Sequence, residues 1–311
     1  MLKQVIEVFD LLSSAYVRAV EVAQFLEKKR LTDIQSWRIQ SDMGETEILK
    51  VTVPGSAGKK SGGQAPTLGI VGKLSGLGAR PHCIGMVSDA DGAITAVSCA
   101  AELAEMKRKG DTLKGDVILT TSICTSAPIV PHSPVSFVGP PVDLLSAGKY
   151  EVDSSMDAIL SVDTTKGNRV INHRGFAITP TVREGYILRV SEDLLDIMEW
   201  TTGRLPRVIP ITTQDITPYG NKLFHLNTIL QPSVMTSAPV VGIGITTDVA
   251  VPGCATGASR ETDVEEACRY CIEVANQFTQ GKCSFCDDTE FRRIVYLYGS
   301  SRHLQGLGKN G

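Results

Sequence analysis

The segment "IGMVSDADGAITAVSCAAELAEMKRKG", Ile84 to Gly110, sets two carboxylates, Asp89 and Asp91, between an apolar run and a long helical pattern. Aspartate at such a junction has two uses. It caps a helix, its charge matched to the positive helix end, or it holds a metal or a substrate. Asp91, next to the helix, reads as the capping or solvent-facing residue, and Asp89 as the site residue.

Cysteine offers two further chemistries. Cys254 lies in "VPGCATGAS", a Gly-rich turn before a helix, where backbone amides stabilise a thiolate or an oxyanion. As a nucleophile it needs a base, and His82, His132 and His173 are the candidates. A packed or exposed thiol is the plainer alternative. Cys268 with Cys271, and Cys283 with Cys286, form two C-x-x-C pairs that could give four thiolates to a structural zinc. Against this, Val264, Cys268, Cys271, Ala275 and Phe278 mark one helical face, which makes the first pair core residues.

Other motifs fail on spacing. "PGSAGKKSGG" has Gly55 three residues before Gly58 instead of five, and no helix follows, so it is not a phosphate loop. "SGLGARP" and "VGIGITT" lack the third glycine of a dinucleotide fingerprint. The five histidines include no H-x-H or H-x-x-x-H pair, so a histidine site would have to be assembled by the fold.

The elements that must position these residues alternate. Val5, Ile6, Phe9 and Leu12, then Val17, Val20 and Leu26, predict one or two amphipathic helices in residues 1–30. Short β-branched runs predict strands over 47–53, 67–74, 115–123, 156–163 and 239–246. Residues 54–66 read as a flexible loop and 125–150 as a Pro-rich ordered excursion. Helices are expected from Gly92, over 191–203, and from Thr262, the last opened by a capping box of Thr262 with Glu265. This pattern implies an α/β fold, a three-layer α/β/α sandwich with a mixed, largely parallel central sheet. The expected organisation is one domain over 1–311, with N-terminal helices in 1–30 and a C-terminal extension in 281–311.

With 311 residues, 42% of them hydrophobic, the chain can bury a large core. Its 34 acidic residues against 31 lysines and arginines give a net charge of -3, which provides no electrostatic case for nucleic acid or an anionic membrane. No apolar run is long enough to span a bilayer, and the charged N-terminus does not read as a signal peptide. Eight cysteines without a secretion signal read as reduced thiols in a cytoplasmic protein.

"SDADGAITAVSCAAELAEMKRKGDTLKGDVILTT", with "ILSVD" further on, resembles the core of the co-catalytic zinc aminopeptidases of the phosphorylase/hydrolase-like fold. The resemblance runs in order over residues 65 to 280. It implies that Asp89 is the metal-bridging aspartate and Asp163 a second ligand, and that an amide or peptide-like small molecule is the substrate. "GARPHCIGMVSDADGA", "ILSVDTTKGNRVINHRGFAITPTV", "TTQDITPYGN" and "VPGCATGAS" are more closely similar to a bacterial family named only as domain of unknown function 1177, over essentially the full length.

The peptidase pattern breaks at its other ligands. Lys73 takes the place of the first histidine, Thr125 and Ser126 that of the Glu-Glu pair, and Gly253 or Cys254 that of the last histidine. The standard two-zinc mechanism, which needs the glutamate base and both cations, is therefore not expected. Two arrangements stay open. An ammonium, Lys73, sits between Asp89 and Asp163 in place of the metal, or His132, His173 or His82 joins the aspartates around one divalent ion, zinc or manganese.

The expected catalytic residues are Asp89, Lys73 and Cys254, with His132, His173, Arg80, Thr125 and Ser126 contacting the ligand. The expected function is hydrolysis of an amide or peptide-like small molecule at the carboxyl edge of the sheet. The alternatives are a non-catalytic ligand-binding relative, and a regulator acting through a metal on the four paired cysteines. A homo-oligomer is expected.

Overall fold

The computed structural model describes every residue except Met43, Leu74, Ser75, Pro134, 217–228, Gly257 and 306–311. Two amphipathic helices come first, α1 (Leu2–Leu12) and α2 (Ala19–Lys28), burying Val5, Val8, Leu12, Val22 and Leu26. Then follow β1 (Asp33–Ser41), β2 (Gly44–Val53), β3 (Leu68–Gly72), α3 (Asp91–Arg108) and β4 (Val117–Ile123). A small hairpin, β5 (Ile129–Val130) with β6 (Phe137–Val138), leads to α4 (Leu144–Glu151) and β7 (Ala158–Thr164). The last third holds β8 (Gly175–Ile178), β9 (Val182–Arg183), β10 (Tyr186–Ile187), α5 (Glu192–Thr202), β11 (Val240–Thr246), α6 (Glu261–Thr279) and α7 (Asp288–Tyr298).

The main sheet runs β1-β2-β4-β3-β7-β11-β9-β10, with β8 also paired to β11. Its four core strands, β4, β3, β7 and β11, are mutually parallel, and the flanking pairs are antiparallel. Side chains alternate across the pleat. Leu68, Ile70, Leu119, Leu160 and Ile243 face a layer made by α1, α2, α3, α5 and α6. Val71, Ile118, Ile159 and Val240 face the opposite layer with Ile216, Ile229 and Leu230, while α4 covers β2 through Ala147 on Ile48. The result is the expected mixed α/β/α arrangement, its central strands near-continuous in apolar residues because both faces are covered.

Three local expectations are corrected. Residues 54–66 are pinned to the core by Asp116, which accepts from Gly55 N and Lys60 N, each at 2.9 Å. The helix expected from Thr262 starts at Glu261 with Arg260 at its cap and no side-chain cap bond, so the Thr262–Glu265 box does not form. The strand β1 was not foreseen, because its polar sequence lies largely exposed along the sheet edge. Among the described residues, no helix is long and apolar enough to cross a membrane.

The tightest joint is between α3 and the sheet. A Cβ at Gly92 would stand 2.6 Å from Lys73 O and 2.7 Å from Val162 O, both main-chain atoms that cannot yield. Gly92→Ala is therefore expected to destabilise the protein by about 1–3 kcal/mol or more, read from the midpoint of chemical denaturation.

Candidate active site

Because the four core strands are parallel, their carboxyl ends share one edge, where open α/β sheets place their sites. Lys73 follows β3, and Asp163 sits in the last turns of β7. The turn Ser88–Ala90 delivers Asp89 to the same edge just before α3 begins at Asp91. The loop "VPGCATG" cradles that turn. Ser88 N donates to Ala255 O (2.7 Å), Asp89 N to Gly253 O (3.1 Å), and Ser88 Oγ to Pro252 O (2.6 Å). Gly253 lets the loop close on the carboxylate, since a Cβ there would lie 2.2 Å from Asp89 Oδ2 and the carboxylate would have to shift.

Asp89 is 6% exposed. Its Oδ2 accepts from Val138 N at 3.4 Å. Burial first, and then the charge of Asp163, push its carboxyl up from 3.8 to about 7. Asp163 is buried beside it, with Oδ1 accepting from Thr164 N at 2.7 Å. The structure thus brings together the two aspartates singled out in the sequence.

Asp91 is neither a cap nor solvent-facing. It is fully buried, and its Oδ2 accepts from the buried ammonium of Lys166 at 2.6 Å and from Thr164 Oγ1 at 3.4 Å. Lys166 reaches in from the loop after β7, so it carries positive charge to the aspartates.

Lys73 does not lie between Asp89 and Asp163. Its ammonium is buried on Glu151 Oε2 at 2.5 Å, with each side chain 3% exposed. Ser122 Oγ donates to the other oxygen of Glu151 at 3.2 Å. These three residues, with Val138, Pro140 and Pro141, line a cleft of about 390 Å³, part of it open to solvent. Val138 joins the cleft to the aspartates, since its backbone donates to Asp89.

The remaining candidates divide. Arg80 Nη1 reaches Thr125 O at 3.5 Å, and Ser126 bridges to Ala79, so these three stand together at the end of β4. Cys254 packs against Cys83 beside the cradle. Burial and then Cys83 push its thiol up, opposite to the activation a nucleophile needs. His82 and His132 are exposed, the latter edge-on to Phe137 at 5.6 Å. His173 lies before β8, its proton affinity lowered by burial and by Arg207 and Arg204.

The four paired cysteines are not gathered. Cys268 and Cys271 are buried facing Cys99 of α3, where burial raises the Cys99 thiol. Cys283 is buried beyond the end of α6 and pushed up to about 12. Cys286 meets Arg183 Nη1 at 3.5 Å. Among the described residues, no group of three or more His, Cys, Asp or Glu side chains is placed to hold a metal. The donor set does not fit the peptidases' two ions either. Lys73 is held by Glu151, and a side chain at Gly253 would crowd the Asp89 carboxylate.

Glu151, Lys166, Ser122 and Cys83 were not found by sequence reasoning. Lys166, three residues after Asp163, had the only local signal.

The fold and this edge define an α/β protein with two buried carboxyls at the carboxyl edge of a parallel sheet, one in β7 and one in the turn before α3. Over residues 37–308 the chain matches the family described as "Protein of unknown function (DUF1177)", and it belongs to that family. No curated protein matches it. The peptidase resemblance rests on the short motifs and their order alone.

Two outcomes follow from the buried charges. Below pH 3.8 the folded and unfolded chains both hold the Asp89 proton. From there to about pH 7 only the folded chain keeps it, so stability falls as pH rises, by roughly 4 kcal/mol in all. Asp89→Asn is expected to remove this slope, measured by denaturation across that range. Lys73→Met alone strands Glu151 and is expected to cost about 3–5 kcal/mol, much of it recovered by adding Glu151→Gln, as a double-mutant cycle would read.

Proposed function

We propose that the edge carrying Asp89 and Asp163 hydrolyses an amide bond in a small peptide-like molecule, with the two carboxyl groups as acid and base. The observation that carries this reading is their meeting, both buried, at the carboxyl ends of parallel strands. Two carboxyls held together do not both ionise readily, and one protonated beside one ionised is the pairing that water attack on an amide requires. The ionised group takes a proton from water as its oxygen bonds to the carbonyl carbon. The protonated group gives its proton to the carbonyl oxygen. Collapse of the tetrahedral species breaks the C–N bond, and the amine leaves with a proton.

Other residues have supporting parts. Lys166, fixed on Asp91, supplies positive charge that limits the repulsion between the aspartates. The cleft of Lys73, Glu151 and Ser122 offers polar contacts below a proline-lined wall.

A second reading is a ligand-binding protein without turnover. It is favoured by Thr125, Ser126 and Gly253 standing where the resembled peptidases carry base and ligand. One experiment separates the two. The full chain is incubated with aminoacyl 4-nitroanilides and N-acyl amino acids, with and without a chelator. Hydrolysis is expected that persists in chelator and drops about 100-fold or more in Asp89→Asn and in Asp163→Asn. Turnover untouched by both substitutions would overturn the hydrolase reading. Thermal stabilisation by the same compounds with no turnover would favour the binding protein.

A further inference from the structure

A second group of side chains collects elsewhere on the carboxyl edge. Antiparallel pairing of β8 with β11 sets Gly175 opposite Thr246, so His173 and Arg174 arrive at that edge. The chain leaving α5 turns at Gly203, in the left-handed region at φ 67°, and returns along β8 through Ile178 N on Arg207 O at 3.0 Å. Arg204 and Arg207 are thereby brought to the same recess as His173 and Arg174, over a floor of Phe176 and Met198.

We propose that this recess, formed by His173, Arg174, Arg204 and Arg207, binds a small oxyanion, a phosphate or a carboxylate on a compact body. The reading does not rest on the hydrolase proposal.

Four observations carry it. First, the charges do not cancel. Arg204 is paired with Glu266 and Arg174 reaches Asp263 only at 3.5 Å, while Arg207 has no carboxylate partner among the described residues. Second, His173 presents an unused ring nitrogen. Its Nδ1 lies 2.9 Å from Arg174 O, and a carbonyl only accepts, so Nδ1 carries the hydrogen. The buried Nε2 has no partner. It can accept from a hydrogen-phosphate or hydroxyl proton, or donate to an oxyanion once protonated.

Third, the field has the right sign. Besides burial, the Arg207 and Arg204 guanidiniums lower the proton affinity of His173, against the opposing pull of Asp248. Fourth, the recess is about 260 Å³ and open to solvent. Guanidinium forks recognise phosphate and carboxylate alike, because both present paired oxygens to two N–H donors.

The test is calorimetric titration of the full chain with inorganic phosphate and, separately, with malonate, each in chloride of matched ionic strength. Saturable one-site binding is expected with at least one of them, weakened about tenfold or more by Arg207→Ala. That variant breaks no ion pair, so its melting temperature should match the parent and exclude a folding defect. His173→Gln is the second variant and should also weaken binding. Binding of phosphate without malonate assigns a phosphate ligand, and the reverse assigns a carboxylate. No saturation with either at roughly millimolar concentration, or binding unchanged in Arg207→Ala, overturns the proposal.

Discussion

The architecture of the edge depends on α3 being able to approach the sheet backbone to backbone. Gly72 lies under Gly92 O, and Gly92 lies against the carbonyls of Lys73 and Val162. No side chain separates the first turn of the helix from the ends of β3 and β7. That closeness sets the positions of Asp89 and Asp91, which immediately precede Gly92, and puts them next to Asp163, which follows Val162. A thicker joint would leave the same aspartates at the surface, where water would screen them and nothing would perturb their protonation.

Burying three carboxylates in one place carries an electrostatic cost that the fold meets by two different means. Asp91 is paid for with a lysine, since Lys166 follows β7 by only two residues and its ammonium lies on Asp91 Oδ2. Among the described residues, Asp89 has no ammonium of its own within hydrogen-bonding distance, and it is driven toward its neutral form instead. Lys73 is withdrawn from this balance by Glu151, which reaches it from the end of α4. The edge therefore has two separate buried ion pairs flanking a carboxyl that is free to exchange a proton.

The parts of this that could be read from sequence were those with a local period. β3, β4, β7 and β11 were legible as short β-branched runs, and α5 as a helix between Ser191 and Gly203, both of which cap it as their types imply. Asp163 was legible because it closes such a run, and Asp89 because it stands just before a long helical pattern; the structure brings Asp89 to the strand ends in the turn Ser88–Ala90 and not at the end of a strand. β1 was not legible, because an edge strand with polar residues on both faces loses the apolar alternation. α4 was not either, being eight residues long inside a Pro-rich segment, so its terminal Glu151 had no expected place. The Lys73–Glu151 pair joins residues far apart in the chain, and no spacing rule connects them. Asp91 was misread for the related reason that its cap-like position is local while its burial is tertiary.

Gly253 shows most clearly how a resemblance in sequence can separate from a resemblance in chemistry. The loop facing Asp89 comes so close that the main chain at Gly253 lies against the carboxylate. A side chain there would displace the Asp89 carboxylate or the loop, which holds Ser88 and Asp89 by backbone and hydroxyl bonds. Asp89 is buried against this loop, and burial is the first cause of its raised proton affinity. The close approach of Gly253 and the burial of Asp89 thus go together at this edge. Under the proposed hydrolase function, proton exchange between buried carboxyls is the chemistry these residues would supply, and it requires no change in the order of strands and helices around them.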